Sequence, residues 1–596
     1  MLKLAKYLKP FVPLLFLAVG VLFLQAFCDL SLPNLMSRLV NMVLDQKTPE
    51  NQSFNDSGLL TLGLQMLAIA LTGGAAAVGV SFLSTRIAAG IARDLRFEVF
   101  KKVESFSSHE FDTFSTASLI TRCTNDISQV QQLFVMGIRM SCYAPIMGIG
   151  GIIMAVSKAP AMSWIIVLAV IILICFITLL ISIILPKFRV IQNLVDRLNR
   201  IARETLNGLE VIRAFSAQEH EKKRFDGVNM ELTNTTLFVN RIMILQMPGM
   251  QFIMNTAILL IIWIGAQRIA SSVMGVGDMM AFIQYTMQII FSFLFFSMMF
   301  VIIPRTAVSA DRITQLLESE VSIRDPKSPL AFSGRGEASS KDHGEGPNVR
   351  RGLRVEFKDV FFRYSEAAED AVKNINFIVK SGETVAIIGP TGSGKSTIAN
   401  LMLRFYDVTS GSITVDGVDI RELSQNDLRC EIGYVPQKSL LLSGPLSFNL
   451  RYGKKDASDA EVHEGAGIAQ ALDFIEERGG LQSTLAQGGA NFSGGQKQRL
   501  SITRALVRDP ALLIFDDSFS ALDFATDARL RQALEEKRKG VTKIIVAQRV
   551  GTIRQADKII VLEKGRIAGM GTHAELLAGC PEYREIAESQ ISEDAS

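Results

Sequence analysis

The sequence predicts an α-helical membrane domain of six spans followed by a soluble α/β domain. Three observations carry that reading. Mean hydropathy is +0.27, with 48% apolar and only 20% charged residues, too apolar for a purely soluble chain and too charged for a purely membranous one. Runs long enough to cross a ~30 Å hydrocarbon core, which takes about 20 helical residues, all fall before residue 304. After residue 352 short apolar strands alternate with helical stretches, and one glycine-rich loop joins a strand to a helix.

The spans are expected near residues 11–44, 59–90, 133–156, 161–185, 242–270 and 279–303. The first is not read as a cleavable leader, because its apolar character resumes after Pro33 with no small-residue cleavage site. The connection at 45–55 carries Asp45 and Glu50 against Lys47, and the links at 157–159 and 271–278 are very short. Basic residues crowd the start (Lys3, Lys6, Lys9) and the connections after the second span (Arg93, Arg96, Lys101, Lys102, Arg122) and the fourth (Lys187, Arg189, Arg197, Arg200, Arg203). By the positive-inside rule both termini are expected to be cytoplasmic, in a multi-pass protein whose expected membrane is a bacterial plasma membrane. Those two basic connections, of about 40 and 55 residues, keep helical periodicity. Helices continuing at 1.5 Å per residue would carry their tips ~30 Å or more into the cytosol.

Between residues 325 and 351 the composition turns to Ser, Gly, Pro and charge, the character of a linker. The expected division is a membrane domain at 1–320, a linker at 321–352, an α/β domain at 353–591 and a tail at 592–596. A net charge of +3, from 62 basic and 59 acidic residues, gives no support for nucleic-acid binding. Six cysteines, at 28, 123, 142, 175, 430 and 580, show neither metal-ligand spacing nor a disulfide framework and read as reduced thiols.

The chemistry begins at Gly389, Pro390, Thr391, Gly392, Ser393, Gly394, Lys395, Ser396 and Thr397, between the apolar strand at 384–388 and a helical stretch. This is the Walker A context: glycine-freed N–H groups and a helix N-terminus hold phosphate anions. Lys395 would neutralise the β/γ oxygens of a nucleotide, and the Ser396 hydroxyl would ligate Mg²⁺. Four apolar residues lead to Asp516, at the C-terminal end of a buried strand, where ligands sit in parallel sheets. Asp516 reads as the Walker B carboxylate holding that magnesium.

Between these elements, Phe492-Ser493-Gly494-Gly495-Gln496 resembles the signature motif of the ATP-binding cassette family. Tyr364 resembles that family's adenine-stacking aromatic, Gln437 in Tyr-Val-Pro-Gln its Q-loop and magnesium ligand, and Ser520-Ala-Leu-Asp523 its D-loop. With six spans ahead, nearly the whole chain looks like an exporter half-transporter of type IV architecture. The resemblance implies ATP and Mg²⁺ as ligands, a lipid bilayer, and a second half-transporter. In the family, Ser493, Gly494, Gly495 and Gln496 would contact ATP bound on the opposite cassette.

Two positions depart from the family pattern. The residue after Walker B is usually Glu and here is Asp517; the switch residue is usually His and here is Gln548. Losing one methylene withdraws a carboxylate by ~1.5 Å, and a misplacement of about 1 Å can cost on the order of a hundredfold in rate. Glutamine donates a hydrogen bond but carries no positive charge and shuttles no proton. One reading is drift, with Asp517 still the base after a small backbone shift; the other is a degenerate site that binds ATP and hydrolyses it poorly. The second favours a heterodimer over a homodimer, this chain lending its signature to a partner's consensus site. A third departure, Gln487 where the family often has Glu, leaves open whether a cross-talk contact is weakened.

His109 to Ala117 and Asn207 to Phe215 resemble the exporters' two coupling helices, with Phe111, Phe114 and Phe215 as aromatic knobs. Asp29, inside the first span, is either a functional carboxylate facing a cationic substrate or a packing partner capped by a neighbouring span. Ten of the 22 methionines fall between Met243 and Met299, suiting an adaptable cavity or lipid-facing packing. The expected function is ATP-driven export of small amphiphilic or drug-like molecules by alternating access. A regulatory ATP-binding subunit gating a partner, or a homodimeric lipid flippase, are the alternatives.

Overall fold

The structure, a computed structural model, describes residues 2–45, 56–331, 352–365 and 367–594. The polar loop at 46–55, the Ser/Gly-rich part of the expected linker at 332–351 and the last two residues lie outside the described residues. The chain divides into two compact units: Met1–Glu104 with Thr116–Ser319, and Ser105–Ser115 with Glu320–Ser596.

In the first unit, the described residues include six helices long and apolar enough to cross a membrane, within Lys6–Leu44, Ser57–Glu104, Thr116–Lys158, Pro160–Asn207, Gln218–Ala270 and Val276–Phe296. Helix is the required form, because hydrocarbon offers no partner to a bare backbone N–H or C=O. Several helices outrun the apolar stretch that defines them: Asp56–Glu104 is 49 residues, Ser163–Asn207 is 45 and Val276–Glu318 is 43. Pro33, Pro145 and Pro186 lie inside helices, and Arg122–Asp126 is a π-helical turn.

The third span packs along the sixth at glycines. A Cβ on Gly148 would sit 2.9 Å from Ser292 Oγ, and one on Gly151 would sit 2.9 Å from Ile289 Cγ1. Small residues at such contacts let backbones approach, which is where dispersion gains are made when both helix and lipid are apolar. Beside the short links, Lys158 forms an ion pair with Asp278 at 2.8 Å; Asp278 also accepts from Ser37 Oγ at 2.7 Å, tying the first, third and sixth spans together.

The tip of the second long connection, Leu209–Ala214, is a short helix with no buried residue, and Phe215 just beyond it is 80% exposed. The tip of the first, Ser108–Phe114, belongs to the second unit. Its Glu110 is 4% exposed and accepts from Ser107 N at 2.7 Å and from Ser322 N at 3.0 Å. Tyr406 OH donates to Asp112 at 2.8 Å. Phe111 and Phe114 both pack on Phe106, edge-on at 6.2 Å and stacked at 5.7 Å, and Phe111 stays exposed. Part of the stretch expected to be a linker is strapped on here: Arg404 donates to Arg324 O at 3.3 Å, Gln425 N to Asp325 at 3.0 Å and Leu330 N to Glu422 O at 2.9 Å.

The rest of this unit is built on a six-stranded sheet in the order Arg566–Gly571, Lys558–Glu563, Thr384–Ile388, Thr542–Val546, Leu512–Asp516, Ile432–Val435, all parallel except the first. A four-stranded antiparallel sheet containing Val355–Phe362 and Val372–Val379 lies in the same unit. Side chains alternate between two cores: Val385, Ile387, Leu512, Ile514 and Ile544 enter one, and Ala386, Ile388, Leu513, Phe515 and Ile545 the other. Burial on both faces explains why these strands read as continuous apolar runs. Thr542–Val546 runs between Thr384–Ile388 and Leu512–Asp516, so all three strand ends open on one edge.

Gly151→Leu should force the third and sixth spans apart and cost roughly 1–3 kcal/mol, read as a fall of several degrees in Tm of the detergent-solubilised chain. Gly74→Leu, at a glycine with nothing within 4 Å, should leave Tm unchanged; equal losses from both would mean the contact is not specific.

Candidate functional site

At that edge the glycine-rich loop leaves the strand Thr384–Ile388 and enters the helix Lys395–Met402. Gly394 has φ +101°, and a Cβ there would lie 2.9 Å from Ala371 O, so both conformation and space demand glycine. Lys395 Nζ donates to Gly389 O at 2.6 Å and Pro390 O at 2.8 Å, folding the ammonium across the loop. Burial pushes its pKa down, with Asp517 and Asp516 acting in the opposite sense. Ser393 Oγ is buried without a partner. Donor-rich backbone, a folded-in cation and an orphaned hydroxyl are what a phosphate group would satisfy.

Ser396 Oγ donates to Asp516 at 3.0 Å, joining the two Walker elements. Asp516 is 4% exposed and also accepts from Tyr434 OH at 3.4 Å. Burial raises its pKa, the Ser396 and Tyr434 hydrogen bonds and Lys395 only partly offsetting it. A buried carboxylate lifted in this way gains from a nearby cation. Ser396 hydroxyl and Asp516 carboxylate are hard oxygen donors of the kind Mg²⁺ takes in small number while keeping its waters. Tyr364 OH shares a hydrogen bond with Thr397 Oγ1 at 3.1 Å, and its ring meets Phe362 and Tyr406 edge-on at 4.8 and 5.2 Å.

Asp517 leaves the strand with φ +48°, a left-handed turn unusual for a residue with a side chain, fixed by its N–H donating to Val546 O at 2.9 Å. Its Oδ2 accepts from Gln548 Nε2 at 2.8 Å and from Gln437 Nε2 at 3.2 Å. The two positions that depart from the family pattern are therefore bonded to each other, and the Q-loop glutamine completes the set. The sequence expectation for Gln437 is a metal ligand; here its amide nitrogen is turned to Asp517. Burial raises the Asp517 pKa, opposed by Gln437, Lys395, Ser520 and Arg549.

The signature residues form a separate cluster. Ser493 N-caps the helix Gly494–Val507: its hydroxyl accepts from Gln496 N at 3.3 Å, and its N–H donates to Gln496 Oε1 at 3.1 Å. Ser493 and Gly494 are exposed, and a Cβ on Gly495 would sit 3.1 Å from Ala521 O, in the D-loop. Among the described residues no hydrogen bond joins this cluster to the glycine loop or to Asp516 and Asp517. Asp523, at the end of the D-loop, N-caps Phe524–Lys537 through Thr526 N at 3.0 Å. Gln487 is exposed on a short turn.

Sequence reasoning misses two residues of this site. Tyr434 stands in the Tyr-Val-Pro-Gln stretch, so its motif is visible although its contact is not. Gln590 carries no local signal: from the C-terminal helix Pro581–Asp594 its amide donates to Gln548 O at 2.7 Å and accepts from Val550 N at 2.8 Å. The six cysteines are all free thiols.

Two family models match the chain: the ABC transporter transmembrane region over residues 15–293 and the ABC transporter domain over residues 372–520. An ABC transporter ATP-binding protein of Mycobacterium tuberculosis is 39% identical over 535 residues, 89% of each chain. A protein of Hahella chejuensis named ATP-dependent lipid A-core flippase is 30% identical over 601 residues, covering 99% of this chain and 97% of its own. A solved bacterial Atm1-family ABC exporter with ATP bound superposes with a TM-score of 0.78 at 24% identity, over 97% of this chain and 98% of that one, and shares the fold.

Asp516→Asn removes a desolvated charge while keeping an acceptor for Ser396. A raised carboxylate pKa means the native state binds the proton more tightly than the unfolded chain, so the ionised group opposes folding above its folded pKa. The variant's ligand-free Tm at pH 7.5 should therefore equal or exceed wild type, while the Tm increase on adding MgATP disappears. A lower ligand-free Tm would show that Asp516 is held for stability.

Proposed function

The chain belongs to the ATP-binding cassette transporter family, as an exporter half-transporter whose cassette is an ATPase coupled to transport, and from that premise we propose that it works in a heterodimer. In this reading it binds MgATP at a slowly hydrolysing site and completes a faster site on its partner. The observation that carries the proposal is the hydrogen bond from Gln548 to Asp517, reinforced by Gln437.

ATP enters against Tyr364, with its phosphates on the loop from Gly389 to Thr397. Lys395 exchanges the carbonyls of Gly389 and Pro390 for phosphate oxygens. A magnesium ion held by Ser396 and Asp516 would draw charge from the γ-phosphate. The remaining requirement is a base beside the attacking water. Asp517 is short by one methylene, and its Oδ2 is already engaged by two amide donors, so meeting the attacking water means giving up those bonds. Gln548 can hold a γ-phosphate oxygen through its N–H but supplies no charge. Both deficits fall on hydrolysis and leave binding intact.

Pairing is supported by what the chain leaves bare. The helix end at Ser493 and Gly494 is exposed, and its positive end suits a phosphate on a second subunit, which would take over the donors that Ser493 and Gln496 now share. The tip of the second cytoplasmic connection exposes Leu206, Val211 and Phe215, an apolar set suited to a groove on a second cassette. The basic connections support a cytoplasmic position for cassette and termini. Small amphiphiles, lipid or drug-like, are the cargo class; the Hahella relative named as a lipid flippase adds to that reading and keeps a homodimeric flippase as the competing one.

Purified wild-type chain alone should turn ATP over slowly, and Asp517→Glu with Gln548→His should raise its rate by up to about a hundredfold with little change in ATP affinity. Brisk turnover by wild type alone, or no gain in the double variant, would favour the homodimer and remove the degenerate site.

A further inference from the structure

Asp29 stands near the middle of the first span, Val12–Asp45. Its Oδ2 accepts from Tyr143 OH of the third span at 2.7 Å, and its backbone carbonyl accepts from Gln288 Nε2 of the sixth span at 3.2 Å. Gln288 Oε1 is buried with no hydrogen-bond partner. Toward Asp29 Oδ1 the second span presents Gly73, where even a Cβ would stay 3.7 Å away. Four spans thus converge on a carboxylate that, among the described residues, has one hydroxyl donor and no cation bonded to it.

One helical turn from Tyr143, on the same face of the third span, is Arg139. Arg139 is exposed and forms no ion pair among the described residues. An arginine at that position in an apolar bundle faces a cavity or a partner in preference to lipid, because hydrocarbon solvates it poorly. Arg139 stands about 6 Å of helix rise from Tyr143, the residue bonded to Asp29, so a guanidinium and a carboxylate on neighbouring spans form a site with two opposite poles. The orphaned Gln288 oxygen adds an acceptor on the carboxylate side.

We propose that the Asp29–Tyr143–Gln288 cluster with Arg139 is the headgroup site for a zwitterionic amphiphile, its ammonium on Asp29 and its anionic group on Arg139. The inference rests on the export reading and deepens it by naming a cargo class. Tyr143 is a positioning residue that fixes the carboxylate and leaves Oδ1 for the ammonium.

The test uses the full chain in nanodiscs and three sub-micellar amphiphiles with the same sixteen-carbon tail: hexadecylphosphocholine, hexadecyltrimethylammonium and hexadecyl phosphate. Wild type should bind the zwitterion at least tenfold more tightly than either singly charged probe. Asp29→Asn should weaken the zwitterion and the cation about tenfold and leave the anion unchanged; Arg139→Gln should weaken the zwitterion and the anion and leave the cation unchanged. Tyr143→Phe should weaken the cation and the zwitterion by a smaller factor, and serves if Asp29→Asn does not fold. Equal wild-type affinities for the three headgroups, or variants that shift all three together, would overturn the proposal. A fluorescent ATP analogue titrated into the same preparations reads the cassette independently, so failure of the nucleotide reading is seen apart from failure of this one.

Discussion

Every backbone N–H and C=O inside hydrocarbon has to find its partner within the protein, and most of this chain's architecture descends from that constraint. It makes the first half helical whatever the local propensities, which is why Pro33, Pro145 and Pro186 are carried inside helices. It also makes the helices stiff, so the second span runs unbroken to Glu104. Beyond Glu104 the chain is fixed by different physics. Glu110 is buried in the second unit and caps its own helix while holding Ser322, so one carboxylate fastens the first connection to the segment after the sixth span. Burial alone would raise its pKa; the hydrogen bonds from Ser107 and Ser322 outweigh that and hold it below the ordinary value.

The nucleotide edge of the cassette is governed by carboxylates placed where water is scarce. Asp516 and Asp517 are adjacent at a strand end, and burial raises both. They are managed differently. Asp516 is met by hydroxyls, Ser396 and Tyr434, which a metal can share or displace. Asp517 is met by two amides, which satisfy it without neutralising it. The same sheet end therefore holds a carboxylate poised for a cation beside one already occupied by hydrogen bonds, and the proposed separation of binding from hydrolysis rests on that contrast.

The parts legible in the sequence are those whose physics is local. A phosphate loop needs glycines and a lysine within about nine residues, an apolar span needs only its own length, and a capped helix start such as Ser493 to Gln496 is written in a single short stretch. Contacts that close over long separations are not legible. Lys158 with Asp278, Tyr143 with Asp29 and Gln590 with Gln548 each depend on which helices or strands become neighbours. For Asp29 the structure supplies the neighbouring cap that one sequence reading requires, and the orphaned Gln288 oxygen beside it keeps the functional one alive. Phe111 and Phe114 likewise meet Phe106, just ahead of their helix, in ring contacts that their positions in the sequence do not announce.

The Gln548–Asp517 bond has a bearing on acidification. An imidazole at position 548 would change its charge between about pH 5 and pH 8, and with it the strength of its contact with a carboxylate or a phosphate. A carboxamide has no proton to gain in that interval. Its donor, anchored through the Gln590 contact to its own backbone carbonyl, offers the same hydrogen bond throughout that interval. The switch position is therefore a fixed strut where a histidine would have been a sensor, and a pH response of turnover over that interval has to come from other groups, the raised carboxylates Asp516 and Asp517 among them.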